Sequence, residues 1–320
     1  MISVVIYFII IGEVLIIANE LVKYENRLND IPLRKFTSRE MNIFFAIASR
    51  VRDKGCAEII FSFEELKRLS NYDERGERFI KDLSSTYDRL LNINAWNDDG
   101  DTLTKFVAFT KYSIVRSEKL VKIAVNPDFK GLFNQLENWT RFNLEQFTKI
   151  DSSYAKTMFR LLKQFRTQGW AEFSKESFFE VLDIPKSYWN KPANIDAKIL
   201  KPIKEELTPL FRGLSIRKKY GAGRGKPVIG YRFTWKQENN KEDDFSKGKE
   251  ADQRKKLYNI QHNSSLSQTE KWRAMDRVLG LPLGTSERDA TVMNRATAKT
   301  KAAQSEWQQQ TLNALDHLFQ

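Results

Sequence analysis

One stretch of this chain occurs twice, and that repetition limits the fold more than any other feature. From Phe45 the sequence runs FAIASRVRDKGCAE, and from Phe159 it runs FRLLKQFRTQGWAEF. Phe45, Arg52, Gly55, Ala57 and Glu58 match Phe159, Arg166, Gly169, Ala171 and Glu172 at equal offsets. A helix-like segment follows each copy, FSFEELKRLSNY in the first and FSKESFFEVLDIPKSY in the second. Two copies of one supersecondary unit account for this pattern.

Each copy resolves into the same order of elements. In the first, Thr37 or Ser38 caps a helix with Met41, Phe44, Phe45, Ala48 and Val51 at helical spacing, and Gly55 ends it. Residues 58–61 form a short strand and Ser62 caps a second helix bearing Leu66 and Leu69. A third helix spans about Glu74 to Leu91, and strands at Leu103–Val115 and Leu120–Val125 meet at Ser117 and Glu118. In the second copy Ser152 or Ser153 caps the first helix and Gly169 stops it. Residues 170–173 form the strand, and Ser174 caps the helix carrying Phe178, Phe179 and Leu182. A third helix spans about Ile195 to Leu207, and strands at 214–220 and 227–235 flank a Gly-rich turn. Helix, strand, helix, helix and hairpin is the order of a winged helix, an elaborated helix-turn-helix. The expected fold class is α+β: two tandem winged-helix domains with a flexible or partly helical C-terminal tail.

The expected domains are residues 1–138, an N-terminal strand segment plus the first winged helix, 139–236, the second winged helix, and 237–320, linker and tail. From Lys236 the composition turns polar in KQENNKEDDFSKGKEADQRKK, a linker pattern. Two weak amphipathic patterns follow, around Trp272, Met275 and Leu279 and around Leu312, Leu315 and Phe319. The apolar run at residues 1–18 lacks a basic flank and a cleavage site and is broken by Glu13. Its β-branched core, Val4 to Ile11, reads as a buried or pairing strand rather than a membrane span.

Charge narrows the function. Lys plus Arg number 53 against 41 Asp plus Glu, a net +12 that points to a polyanionic partner, most commonly nucleic acid. Between Phe211 and Lys236 stand eight basic residues and no acidic one: Arg212, Arg217, Lys218, Lys219, Arg224, Lys226, Arg232 and Lys236. They lie on the second hairpin, where cations can neutralise phosphates or enter a minor groove. The preceding helix adds Lys198, Lys201 and Lys204, with Lys191 and Asn194 at its start, residue types able to reach base edges from a major groove. A solvated basic face is the plain alternative. The first copy's third helix balances Arg75, Arg78, Lys81 and Arg89 with Glu74, Glu77, Asp82 and Asp88, so it reads as a weaker reader, with Arg75 and Arg78 as the positions to test.

Enzyme chemistry finds little support. Cys56 is the single cysteine, and His262 and His317 lie far apart, so neither a cysteine-built nor a histidine-pair metal site is expected. GAGRGKP at 221–227 lacks phosphate-loop spacing, and Pro227 stands where a magnesium-binding hydroxyl is needed. No catalytic residue, metal or cofactor is expected. A carboxylate-built magnesium nuclease and a repressor of a single operator remain the alternatives.

Several segments resemble the RepA/RepE-type initiators of theta-replicating, iteron-containing plasmids. NELVKYENRL at 19–28 is similar to the segment before their first domain, and FTSREMNIFF at 36–45 to that domain's opening helix. SYAKTMFRLLKQF at 153–165, ILKPIKEE at 199–206 and GYRFTW at 230–235 resemble parts of the second. The resemblance implies two winged helices that bind origin iterons as double-stranded DNA and help open the adjacent duplex. It also implies recruitment of a host replication initiator and replicative helicase, a homodimer in equilibrium with monomer, and autorepression; the single cysteine suits a cytoplasmic location. It places iteron reading on Lys191, Asn194, Lys198, Lys201, Arg217 and Arg224.

Overall fold

The computed structural model describes residues 21–29, 33, 36–51, 58–74, 76–92, 94–98, 101–127, 139–222, 225–238, 249–292 and 294–295. The strand expected at 4–11, the second tail pattern at 312–319, and Gly55, Cys56, Arg75 and Arg224 lie outside these residues.

The first winged helix is built from α1 (Ser38–Val51), β2 (Ile59–Ser62), α2 (Phe63–Leu69), α3 (Glu77–Leu90), β5 (Phe109–Val115) and β6 (Leu120–Val125). The second repeats it with α5 (Ser153–Gln164), β8 (Trp170–Ser174), α6 (Lys175–Val181), a long helix α7 (192–207), β9 (Ser215–Tyr220) and β10 (Val228–Thr234). The sheets share one topology: β2-β6-β5 in the first and β8-β10-β9 in the second, all antiparallel. In each, the short strand before the second helix pairs with the returning strand of the wing. The duplication expected from sequence is therefore a duplication of topology.

Local chemistry sets the helix starts. Thr37 caps α1 in a reciprocal box, its hydroxyl accepting from Glu40 N–H while Glu40 accepts from Thr37 N–H at 2.7 Å. Ser62, Ser152 and Ser174 accept from the N3 amides of α2, α5 and α6. Gly169 sits at φ 77°, and a Cβ there would lie 2.9 Å from the Trp235 carbonyl, so the turn into β8 needs glycine.

Three features depart from the expected elements. The strand expected over Leu103–Val115 is two: β4 (Leu103–Val107) pairs with β3 (Asn94–Asp98) in a separate hairpin, and fully buried Ala108 is the pivot into β5. Outside the two units, β1 (Leu21–Glu25) pairs antiparallel with β7 (Trp139–Asn143), which leads into α4 (Leu144–Thr148). The polar stretch read as linker becomes helical from α8 (Lys249–Gln261), followed by α9 (Gln268–Leu279) over the first amphipathic tail pattern.

One apolar core runs through both units, from Tyr24, Phe44 and Phe45 through Phe142 and Phe147 to Phe159 and Phe211. Polar groups cross it. Lys156 of α5 is fully buried and donates to Asn42 Oδ1 of α1 (2.7 Å) and to the Phe147 carbonyl (2.6 Å). Arg160 donates to the Leu28 carbonyl at 2.9 Å and to Tyr24 Oη. These bonds satisfy groups that would otherwise carry a heavy desolvation cost, and they pin the two units together. Among the described residues no helix is long and apolar enough to cross a membrane.

Candidate nucleic-acid interface

Helix α7 starts with Pro192 at its first turn, runs α-helically over Pro192–Ile195, widens to a π turn over Asp196–Leu200 and returns to α over Lys201–Leu207. The sequence explains the widening. Pro202 has no N–H, so the bond it would give four residues back is missing and its ring crowds that carbonyl. Lys201 N–H instead bonds to the Asp196 carbonyl, five residues back. The inward residues Ile195, Ile199, Ile203 and Leu207 recur every four positions. In an α-helix that spacing drifts by roughly 40° per turn from one face, and the underwound π turn brings the row back over the core.

The outward side of α7 carries exposed Lys191, Lys198, Lys201 and Lys204 with half-buried Asn194. Lys198 donates to Tyr188 Oη at 3.3 Å and lies 5.4 Å from that ring, which orients the ammonium without neutralising it. Lys201 meets Glu205 only at 4.0 Å, both side chains being about two-thirds exposed, so water screens the pair. Trp189 fixes the approach to the helix, its indole N–H bonding the Ile184 carbonyl at 2.9 Å.

The wing's two faces differ. Arg217, Lys219 and Arg232 share the outer face with Glu172 of β8, as the pairing Arg232↔Arg217 and Arg232↔Glu172 requires. Glu172 accepts from Lys219 and stands 3.9 Å from Arg232, which also covers the Trp170 ring at 5.2 Å. Lys218 points to the other face and pairs with Asp196 of α7 at 2.6 Å, tying wing to helix. Behind it the pKa of Tyr231 is pushed up to about 12, by burial first and then by Asp196 and Tyr220. Gly230 is required here, since a Cβ would lie 2.7 Å from the Phe173 carbonyl.

The absence of carboxylates from residues 211–236 therefore overstates the free charge, because the fold supplies Glu172 and Asp196 from other elements. Two carboxylates that matter to this surface, and the Tyr188 partner of Lys198, were missed in the sequence, since sheet register and a loop bring them in. Among the described residues no carboxylate is in ion-pair range of Lys191, Lys198, Lys204, Arg217 or Lys226. These five are exposed on one helix and its adjoining wing.

In the first unit, Arg78 is bound to Glu74 at 2.9 Å, and Glu74 also takes Arg39 at 2.5 Å. Arg89 pairs with Glu40 at 2.9 Å. Burial pushes the Glu40 carboxyl up, but bonds from Thr37, Ser85 and Arg89 outweigh it and hold it below the usual range. Among the described residues no group of three His, Cys, Asp or Glu could hold a metal ion.

Residues 21–163 match the family model described as "Initiator Replication protein, WH1", and residues 174–235 match "Initiator Rep protein, WH2". The chain is 34% identical over 224 residues to a "Probable replication protein rep" of Bifidobacterium longum (strain NCC 2705), covering 69% of this chain and 74% of that protein. Its fold is similar to that of the Pi initiator protein, solved in complex with iteron DNA, at TM-score 0.55 and 11% identity, over 69% of this chain and 99% of that one. With both winged helices matched in order, the chain belongs to the initiator Rep protein family.

Proposed function

We propose that this chain is a plasmid replication initiator that binds origin iterons as double-stranded DNA, with the second winged helix as its main reader. The observation that most supports this is the set of exposed cations on α7 and the wing that have no carboxylate partner among the described residues: Lys191, Lys198, Lys204, Arg217 and Lys226. A row of free cations on a helix that fits a major groove, beside a hairpin that runs along the backbone, suits a duplex. The similar Pi initiator, crystallised with iteron DNA, binds a ligand of this class.

In this reading residues 139–236 read the iteron, with Asn194, Lys198 and Lys201 nearest the bases. Lys191, Lys204, Arg217, Arg224 and Lys226 contact phosphates. Lys218, Lys219 and Arg232 hold the wing through Asp196 and Glu172 and lend it weaker charge. Residues 1–138 supply the dimer surface and weaker secondary contacts, with Arg75 foremost because Glu74 holds Arg78, and residues 237–320 are linker and tail. The chain makes and breaks no bond and needs no metal or cofactor. Neighbouring copies distort the duplex as they bind, and the larger protein–DNA interface on the bent duplex offsets the cost of deforming it. A host replication initiator and replicative helicase then load in the cytoplasm, and the dimer represses the chain's own gene.

A footprint of the full chain on DNA flanking its gene, at two salt concentrations, tests this. Several evenly spaced protected repeats, weakening as salt rises, are expected. A single protected operator supports a repressor instead, cleavage in magnesium supports a nuclease, and no protection at any salt overturns the reading.

A further inference from the structure

The C-terminal helices form a small unit with its own polar pin. Buried Asp276 of α9 accepts from Gly284 N–H at 2.7 Å, from Ser286 N–H at 3.0 Å and from the Ser286 hydroxyl at 2.5 Å. The pin fixes the next helical stretch, 285–292, and brings Asp289 against the first winged helix. Asp289 Oδ2 accepts from Arg68 Nη2 of α2 at 3.1 Å, with the two side chains only 14% and 25% exposed. Around this pair Pro282, Thr285 and Arg288 face Lys67, Tyr72 and Asp73 across a cleft of about 670 Å³. The covered ground is α2 and the turn into α3, the helix-turn-helix of the first domain.

The pair is incompletely made. A guanidinium fork suits a carboxylate or a phosphate through two parallel bonds, yet Arg68 gives Asp289 one, and its buried Nε has no partner among the described residues. Of the carboxylates beside this cleft, Glu74 is answered by Arg39 and Arg78, while Glu64 and Asp73 also line it and lie with Lys67 and Arg288 around Arg68. A polyanion approaching this helix-turn-helix would thus meet one arginine occupied by the chain's own tail.

We propose that Arg68 is a latent DNA-phosphate contact of the first winged helix, and that Asp289 occupies the phosphate's place until duplex DNA displaces it. The inference rests on the duplex-binding reading above and adds to it a regulated second contact. Docking of the tail and engagement of DNA by the first domain then compete for one guanidinium. The tail makes the second domain bind first and the first domain follow.

The test uses the full chain and a duplex carrying the sites found by footprinting. Asp289→Asn should speed amide exchange over 285–292, tighten DNA binding several-fold and steepen the salt dependence of log K by about one unit, the signature of one added phosphate contact. Adding Arg68→Ala to Asp289→Asn should cancel the tighter binding. The exchanged pair, Arg68→Asp with Asp289→Arg, should restore slow exchange in the tail without any rise in DNA affinity. An Asp289→Asn chain whose tail loosens while affinity and slope stay at wild-type values overturns the inference, and so does unchanged exchange over 285–292. A wild-type chain that binds no duplex at any salt overturns the initiator reading, and this inference with it.

Discussion

The two winged helices share a topology and differ in what their cations touch. In the first, Arg39, Arg78 and Arg89 each have a carboxylate within 2.9 Å, and Arg68 is held by the tail. In the second, Lys191, Lys204, Arg217 and Lys226 face water with no such partner among the described residues. In the first copy these arginines are paired, although Lys81, Arg116 and Lys119 stay exposed without an ion pair among the described residues, whereas the second copy gathers its unpaired cations on one helix and the adjoining wing. In the proposed assignment, pairing rather than the count of charge is what distinguishes the two copies.

The sharpest break in this contrast is charge reversal. Lys191→Glu with Lys204→Glu and Arg217→Glu should lower duplex affinity at least about a hundredfold, since each lost phosphate contact removes its counterion release. Arg78→Glu should change affinity less than about threefold, because the Arg78 charge is already answered by Glu74 at 2.9 Å. Filter binding of both variants on one site measures the contrast.

Next in size is the buried lysine that joins the copies. Burial lowers Lys156 to about 7, against the small opposing pull of Asp151 and Glu206. Below that pH both folded and unfolded chains hold the proton. Above it only the unfolded chain does, so this residue makes stability rise with pH from about 7 towards the ordinary lysine value. Urea unfolding should show wild type stabilised by about 2 kcal/mol relative to Lys156→Met between pH 7 and 9. A difference that is flat or falls with pH contradicts the assignment.

Smaller and more specific effects follow on α7. Lys198→Ala should cost about 1–3 kcal/mol on the preferred site and less on mismatched sites, because a base contact is lost rather than a phosphate contact. Competition binding against single-base variants reads this directly. Pro202→Ala removes the reason for the π turn. Thermal unfolding should fall as Ile195 and Ile199 turn off the core, and affinity should fall severalfold as Asn194 and Lys198 rotate away from Lys201. Unchanged affinity would show that the turn does not set the reading face.

Much of this was legible in the sequence because caps and periodicity act over a few residues. Ser62, Ser152 and Ser174 cap where expected, Gly169 takes the left-handed turn, and Leu120–Val125 is the strand expected. What escaped depends on distant partners. Lys156 and Arg160 look like surface cations on a helix, but they are buried because α1, α4 and β1 close over that side and supply oxygen acceptors. The split at Ala108 follows from β4 and β5 pairing in different sheets, which no local pattern encodes. On the candidate surface, Lys218 and Lys219 alternate across the wing, so one turns to Asp196 and the other to Glu172. The residue types were readable, and their neutralisation was not.

The measurement that most directly tests the central claim is the salt dependence of binding for the wild type, Arg217→Ala and Arg78→Ala on one duplex. The account predicts that Arg217→Ala lowers the slope of log K against log salt by about one unit, and that Arg78→Ala leaves it at the wild-type value. Equal slopes for wild type and Arg217→Ala, or a loss with Arg78→Ala alone, would contradict the claim that the second winged helix is the reader.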